Sequence, residues 1–192
     1  MSNIIDDQSD YINEQGVSMM PSVLKYGVIG GLAIAIYKYF NYSTLFATSS
    51  MGNMFLAFLV NLVLFGGLIY LVIKEHRDKE LGGYITMGRC LGVGILTIIF
   101  ASLLGGIFDY VYMAFIDPEI QQKLTTQLSW MYEMMGMDED QIEDAMEATE
   151  DINLEPSLMM SVGGAAIGGA FSGLILSAII GAFTRKNHPD MV

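Results

Sequence analysis

The chain has 192 residues, of which 53% are hydrophobic and only 16% are charged. Soluble domains carry about 25% charged residues, so this composition excludes an ordinary globular domain and indicates a membrane protein. The formal net charge is −12 with nine Lys and Arg residues, which excludes a nucleic-acid-binding protein.

The N-terminal segment, residues 1–22, is predicted to be an acidic cytoplasmic tail. It contains Asp6, Asp7, Asp10 and Glu14 and has no Lys or Arg. A secretory signal peptide begins with a basic region, which is the opposite pattern. We therefore expect the first apolar segment to be retained as a membrane helix.

Four apolar runs have the length of about 17 to 25 residues that a helix needs to cross a hydrocarbon core about 30 Å thick. They cover residues 23–40, 53–73, 91–116 and 158–183. Lys25 and Lys38 lie inside the ends of the first run, where we expect both ammonium groups to snorkel to opposite interfaces. The predicted fold is all-α, an integral membrane bundle of four transmembrane helices.

The basic residues predict the orientation of this bundle. With four spans, the N-terminus, the turn at 74–90 and the C-terminal tail at 184–192 share one side. Seven of the nine basic residues lie on that side, and only Lys38 and Lys123 lie on the other. The positive-inside rule therefore predicts that both termini and this turn are cytoplasmic. The seven are Lys25, Lys74, Arg77, Lys79, Arg89, Arg185 and Lys186.

Residues 117–157 are then predicted to form an extracytoplasmic amphipathic helical hairpin. Asp117 followed by Pro118 is typical of a helix start, Gly136 of a helix end, and Asp138 of a second start. Apolar residues recur at helical spacing in both halves, so we expect the hairpin to lie at the outer membrane boundary. The positions on the predicted faces are Ile120, Leu124, Leu128, Met131 and Met135, followed by Ile142, Met146, Thr149 and Ile152.

This hairpin is also strongly acidic, with twelve Asp and Glu residues against Lys123. Its Asp138-Glu139-Asp140 stretch superficially resembles a calcium loop. The glycine that an EF-hand requires at the sixth position is missing, so a solvated charged surface is favoured over a metal site.

Two polar residues fall inside the apolar runs, Asp109 in the third and Asn61 in the second. Asp109 is either a proton or cation relay or, as we favour, an interfacial residue beside Tyr110 and Tyr112, if the third helix ends near Phe108. On that interpretation Asp109→Asn leaves expression unchanged. For Asn61, a hydrogen bond to a neighbouring helix is favoured over a substrate contact.

Small residues at four-residue spacing form stripes along the first and fourth runs. Such stripes let helix backbones approach closely, either between two copies of the chain or within one bundle. Packing within the bundle is favoured because three partner helices are already tethered nearby, and a homo-oligomer is left open. The residues are Gly27 and Gly31 in the first run and Gly164, Gly168, Gly169 and Gly173 in the fourth.

No catalytic, metal or cofactor motif is present in the sequence. A single cysteine, Cys90, cannot form an internal disulfide, and His76 and His188 stand too far apart to predict a zinc site. Nucleophile elbows, zinc-protease motifs and phosphate-binding loops are all missing. We therefore expect a protein that is not an enzyme and has no cofactor.

The turn at 74–90 is the most distinctive stretch of the chain. Gly82 and Gly83 permit a tight reversal, Thr86 can cap the following helix, and Arg89 can anchor that helix at the interface. The pattern of the turn is an Arg-Asp pair, then paired glycines and an aromatic residue, then a further glycine: Arg77, Asp78, Gly82, Gly83, Tyr84 and Gly88. This pattern resembles the bacterial membrane family catalogued as domain of unknown function 4199, found chiefly in Bacteroidota, over about residues 24–186.

The resemblance implies a four-helix bacterial inner-membrane protein with no assigned activity. We therefore weigh two functions. The first is a non-enzymatic interaction or accessory component, whose hairpin and 77–84 turn contact a membrane or envelope protein beside the lipid bilayer. The alternative is a small transporter or channel subunit in which Asp109 and Asn61 line a polar path. Polar side chains converging on one cavity would favour the alternative.

Overall fold

The computed structural model describes residues 16–45, 50–150 and 157–186. These residues form helices and no strand, which confirms the all-α class; an isolated antiparallel bridge joins Ile85 and Lys186. The α-helices in the described ranges are α1 (Met20–Phe40), α2 (Met51–Glu75), α3 (Met87–Val111), α4 (Ile120–Met134), α5 (Glu139–Glu150) and α6 (Leu158–Thr184).

Three of these helices continue into a five-residue π-helical turn, at Asn41–Leu45, His76–Glu80 and Tyr112–Ile116. The apolar helical segments are therefore Met20–Ser43, Met51–Glu80, Met87–Ile116 and Leu158–Thr184, and the shortest has 24 residues. At about 1.5 Å per residue, each exceeds a hydrocarbon core of about 30 Å. Their length and apolar composition indicate a multi-pass membrane protein with the four spans expected from the sequence.

Helix α3 is the centre of the bundle. It packs along α6 and α1, and α2 makes smaller contacts with α1, α3 and α6. Fully buried branched side chains fill the space between these helices, among them Ile69, Ile73, Val93 and Ile98. Most of the remaining apolar side chains on α1, α2 and α6 are exposed, as expected for surfaces that face lipid.

The bundle has two ends, which we call the terminal end and the hairpin end. The terminal end contains the beginnings of α1 and α3 and the ends of α2 and α6, and the hairpin end contains their opposite ends. Helix α2 packs tightly only near the terminal end, where Leu68, Ile69, Val72 and Ile73 are buried. None of residues 51–67 of α2 is buried, so this half of the helix diverges from its neighbours.

The segment after α3 forms two short helices, α4 and α5, that contact each other. Gly136, at φ +80°, separates them. At the start of α5 the Asp138 carboxylate accepts the Gln141 N–H at 2.9 Å, and the Gln141 side chain accepts the Asp138 N–H at 3.2 Å. This reciprocal capping satisfies two backbone donors. The two predicted helices are therefore present, and Ile152 lies outside the described residues. The first of them begins at Ile120 with Glu119 at its N-cap, two residues after the start that Asp117 and Pro118 predicted.

At the start of α4, the Asp117 carboxylate accepts hydrogen bonds from the Glu119 N–H at 3.2 Å and from Lys123 Nζ at 2.7 Å. The hydrogen bond that Lys123 donates to the Asp117 carboxylate raises the pKa of Lys123. Stabilisation from this pair is therefore present below the ordinary lysine pKa and is lost as the pH rises through the raised pKa.

Candidate functional site

The family-motif turn at the terminal end is organised by Arg77. Its Nη1 donates to the Thr184 carbonyl at 2.9 Å, and its Nε donates to the Asp78 carboxylate at 2.7 Å. The Arg77 carbonyl in turn accepts the Gly83 N–H at 2.8 Å. A cation at the C-terminus of α6 also complements the helix dipole. Arg77 therefore joins the end of α2, the glycine turn and the end of α6.

The paired glycines of this turn are required by backbone conformation, since Gly82 has φ +65° and Gly83 has φ +95°. Beyond them, Ile85 and Lys186 exchange backbone hydrogen bonds of 2.8 and 3.1 Å. The Lys186 ammonium lies 5.2 Å from the centroid of the Tyr84 ring. The turn therefore binds the residues that follow α6. Part of the polar surface of the turn is thus occupied by contacts within the protein.

The other residues of the turn have local roles. Thr86 accepts the Arg89 N–H at 3.4 Å, which confirms the predicted cap of α3. Gly88 is exposed, and a β-carbon there would have no neighbour within 4 Å. Packing therefore does not require glycine at position 88.

A buried polar network lies beside this turn, centred on His76. Its Nδ1 lies 2.7 Å from the Glu80 carboxylate, and its Nε2 accepts a hydrogen bond from Arg89 Nε at 3.1 Å. Since a guanidinium only donates, the His76 proton lies on Nδ1 and faces the carboxylate. Arg89 also donates to the Val17 carbonyl, and Glu80 accepts from Ser22 Oγ at 2.5 Å. The network thus connects α1, α2 and α3.

A second ionic contact at the terminal end joins α1 to α2. Lys25 Nζ lies 2.6 Å from Glu75 Oε1, and Tyr26 Oη donates to Glu75 Oε2 at 2.5 Å. Lys79 approaches the same carboxylate at 3.4 Å. Glu75 is therefore surrounded by donors from two helices.

At the hairpin end, Asp109 forms an ion pair with Lys38, and Tyr42 Oη donates to the same carboxylate at 2.9 Å. The Asp109 side chain is 15% exposed and that of Lys38 is 26% exposed. Lys38 thus pairs with a carboxylate on α3, a contact that the predicted snorkelling did not include. The third helix also continues past Phe108 to Ile116, so Asp109 lies inside the helix and not at its end.

Asn61 belongs to a different polar group. Its Nδ2 donates to the Ala57 carbonyl at 2.8 Å and to Tyr37 Oη at 3.2 Å, so the amide connects α2 to α1. Asn41 donates to the same tyrosine at 3.0 Å. Asp109 and Asn61 thus bind different residues of α1 and form separate networks.

The glycine stripes divide between packed and exposed faces. A β-carbon at Gly31 would lie 2.5 Å from Leu104, and one at Gly169 would lie 2.5 Å from Ser102. Gly27 and Gly173 also lie against α3. By contrast, Gly164 and Gly168 are exposed and have nothing within 4 Å of a β-carbon position. Only one of the two stripes on α6 therefore packs inside the bundle.

No cluster of three or more His, Cys, Asp or Glu side chains that could hold a metal ion occurs among the described residues. Cys90 is fully buried, and a β-carbon at Gly181 would lie 3.0 Å from its Cβ.

Reasoning from the sequence missed the roles of His76, Glu80 and Lys38. His76 and Glu80 are four residues apart, a spacing at which helical side chains meet, and this signal was available. The Lys38 contact joins residues 71 positions apart, so no local pattern identifies it. A weaker signal could have indicated this pair: one apolar span contains a basic residue, Lys38, and another contains an acidic residue, Asp109.

Comparison with known proteins agrees with the resemblance noted in the sequence. A family model described as "Protein of unknown function (DUF4199)" matches residues 25–186. No curated protein and no solved structure matches the chain. The family description carries no activity, so the function has to be argued from the contacts described above.

Proposed function

The chain belongs to this family of proteins of unknown function (DUF4199), and from its contacts we propose that it is a non-enzymatic accessory component of a membrane. In this role the four spans form a stable anchor. The hairpin of α4 and α5 presents an acidic surface to a membrane or envelope protein that carries basic residues.

The observation that carries this proposal is that charged side chains within the spans form ion pairs with one another. Lys38 pairs with Asp109, and Lys25 pairs with Glu75. An unpaired charge in hydrocarbon is costly, and ionisable groups that serve transport usually line a shared aqueous cavity. Here both pairs join neighbouring helices, which supports anchoring over transport. The separation of Asp109 from Asn61 supports the same choice.

The hairpin supports the contact role because its charge is concentrated on one capped helix. In the first turn of α5, Glu139 and Asp140 lie near the positive end of the helix dipole. Exposed Glu143, Asp144 and Glu147 continue the acidic surface. A partner with basic residues would gain from charge complementarity there, mostly in association rate and specificity.

We further propose that the protein lies in a bacterial inner membrane with both termini in the cytoplasm. Seven of the nine basic residues belong to the terminal end, where the positive-inside rule expects an excess. The hairpin end would then face the extracytoplasmic side.

The contact role predicts that charge on α5 is needed to retain a partner. In co-purification from native membranes after mild cross-linking, E143Q/E147Q is expected to lose the partner that the unaltered chain retains. The matched control E119Q/E133Q removes two exposed carboxylates from the α4 part of the hairpin and is expected to retain the partner. Equal recovery with both variants would contradict the contact role. Proton or cation flux in liposomes that D109N abolishes while the variant remains folded would favour the transporter instead.

The proposed orientation predicts opposite accessibility at the two ends of the bundle. A membrane-impermeant maleimide added to intact cells is expected to label E143C and not K79C, both of which replace exposed side chains. The natural Cys90 is fully buried and provides an unreactive background. K79C should react only after the membrane is opened. Labelling of K79C in intact cells would reverse the orientation.

A further inference from the structure

An apolar cleft of about 540 Å³ lies between α2 and α6. It is lined on α2 by Leu62, Gly66 and Tyr70 and on α6 by Ile180 and Phe183. None of the α2 residues that line the cleft is buried, although Leu68 and Ile69 between them are. The two small residues at 66 and 67 deepen it, and a β-carbon at Gly67 would have no neighbour within 4 Å. In a bilayer this cleft opens toward lipid.

The length of the cleft corresponds to one leaflet. From Leu62 to Tyr70 the helix rises about 12 Å at 1.5 Å per residue, against about 15 Å for half of a hydrocarbon core. Its polar limit is marked by Tyr70 and Thr184, which lie at the terminal end. An acyl chain in this cleft would therefore have its head group at the level of the ends of α2 and α6.

Basic side chains lie near the level expected for this head group. The Lys74 ammonium lies 5.8 Å from the centroid of the Tyr70 ring, a lining residue of the cleft, and Arg185 directly follows Thr184, which also lines it. Both residues are exposed, and neither forms an ion pair with a carboxylate in the described part of the chain. The nearby Asp78 is held by Arg77 Nε at 2.7 Å. The mouth of the cleft therefore carries an excess of positive charge.

We propose that this cleft binds an anionic phospholipid, with an acyl chain between α2 and α6 and the phosphate between Lys74 and Arg185. Basic side chains at the mouth of an apolar cleft between membrane helices are the combination that anionic head groups recognise. A second copy of this chain would bring its own basic residues to the same level, and like charges would oppose that contact. The lipid is therefore the occupant that the charge favours.

The test uses the purified full chain in a non-ionic detergent, titrated with phosphatidylglycerol or phosphatidylcholine of identical acyl chains and read by native mass spectrometry. The unaltered chain is expected to retain phosphatidylglycerol preferentially. Since each basic residue near an anionic head group contributes a factor of about five, K74Q/R185Q is expected to reduce that preference about 30-fold. The control K79Q removes one exposed charge at the same end but outside the cleft, and should leave the preference within about twofold, against a loss of about fivefold in K74Q.

A second pair of variants tests the acyl chain without changing charge. G67L fills the cleft and is expected to reduce retention of both lipids, whereas G164L places the same side chain on an exposed face of α6 and should not. An unchanged preference in K74Q/R185Q, or a loss in K79Q equal to that in K74Q, would overturn the proposal. A dimer that replaces lipid at the cleft and is lost in G67L would also overturn it, in favour of a second copy.

Discussion

Replacing Asp109 with Asn is expected to lower the free energy of unfolding by about 3 kcal/mol, because the Lys38 ammonium would lose its partner carboxylate in a largely buried position. The sequence alone predicted unchanged expression for this variant, on the assumption of an interfacial Asp109. The ion pair reverses that expectation. The loss is measured by heating the purified protein in detergent and recording the fraction that remains monodisperse at each temperature.

The matched variants form a double-mutant cycle. K38M alone is expected to be about as damaging as D109N, since it leaves the carboxylate unpaired with only the Tyr42 hydrogen bond. K38M/D109N removes both charges, so its loss should be smaller than the sum of the two single losses. Additive losses would show that the two side chains do not interact, and the anchoring argument would lose its main support.

Replacing Gly106 with Ala is expected to destabilise the protein by about 1 to 3 kcal/mol, which is typical of an overpacked interface. A β-carbon there would lie 2.7 Å from the Ser161 carbonyl oxygen and 2.9 Å from Ala165 Cβ, both on α6. A backbone carbonyl cannot move aside as a flexible side chain can, so α3 and α6 would have to separate. Thermal unfolding in detergent measures the loss.

The control for this substitution is Gly164→Ala on the same pair of helices. Nothing lies within 4 Å of a β-carbon at Gly164, so Ala adds no clash there. Its higher helix propensity should leave the protein unchanged or more stable by up to about 1 kcal/mol. Equal destabilisation by both variants would mean that Gly164 also packs against a partner, which would support a homo-oligomer through that face.

Much of the fold could be predicted from local patterns. Long apolar runs identify the four spans because each must cover the hydrocarbon core by itself. Asp117, Gly136 and Asp138 identify the two hairpin helices because helix ends depend on the few residues around them. The glycine pair at 82 and 83 likewise marks the turn, since positive φ angles are a local requirement.

The polar contacts of the candidate site could not be predicted in the same way. His76 stands in a charged stretch, yet it is fully buried because α1 and α3 supply Ser22 and Arg89 around it and its neighbour Glu80. Lys38 finds Asp109 only when α1 packs along α3. Both results depend on which helices are neighbours and how they are rotated.

The sequence by itself determined that four helices are long and apolar enough to span a bilayer, that two short helices lie between the third and fourth spans, and to which family the chain belongs. The tertiary structure decided which face of each helix is used. On α6, the stripes that begin at Gly164 and at Gly169 have the same four-residue spacing, and only the second packs against α3. Spacing places side chains on a common face of a helix, but the neighbouring helices determine whether that face meets protein or lipid.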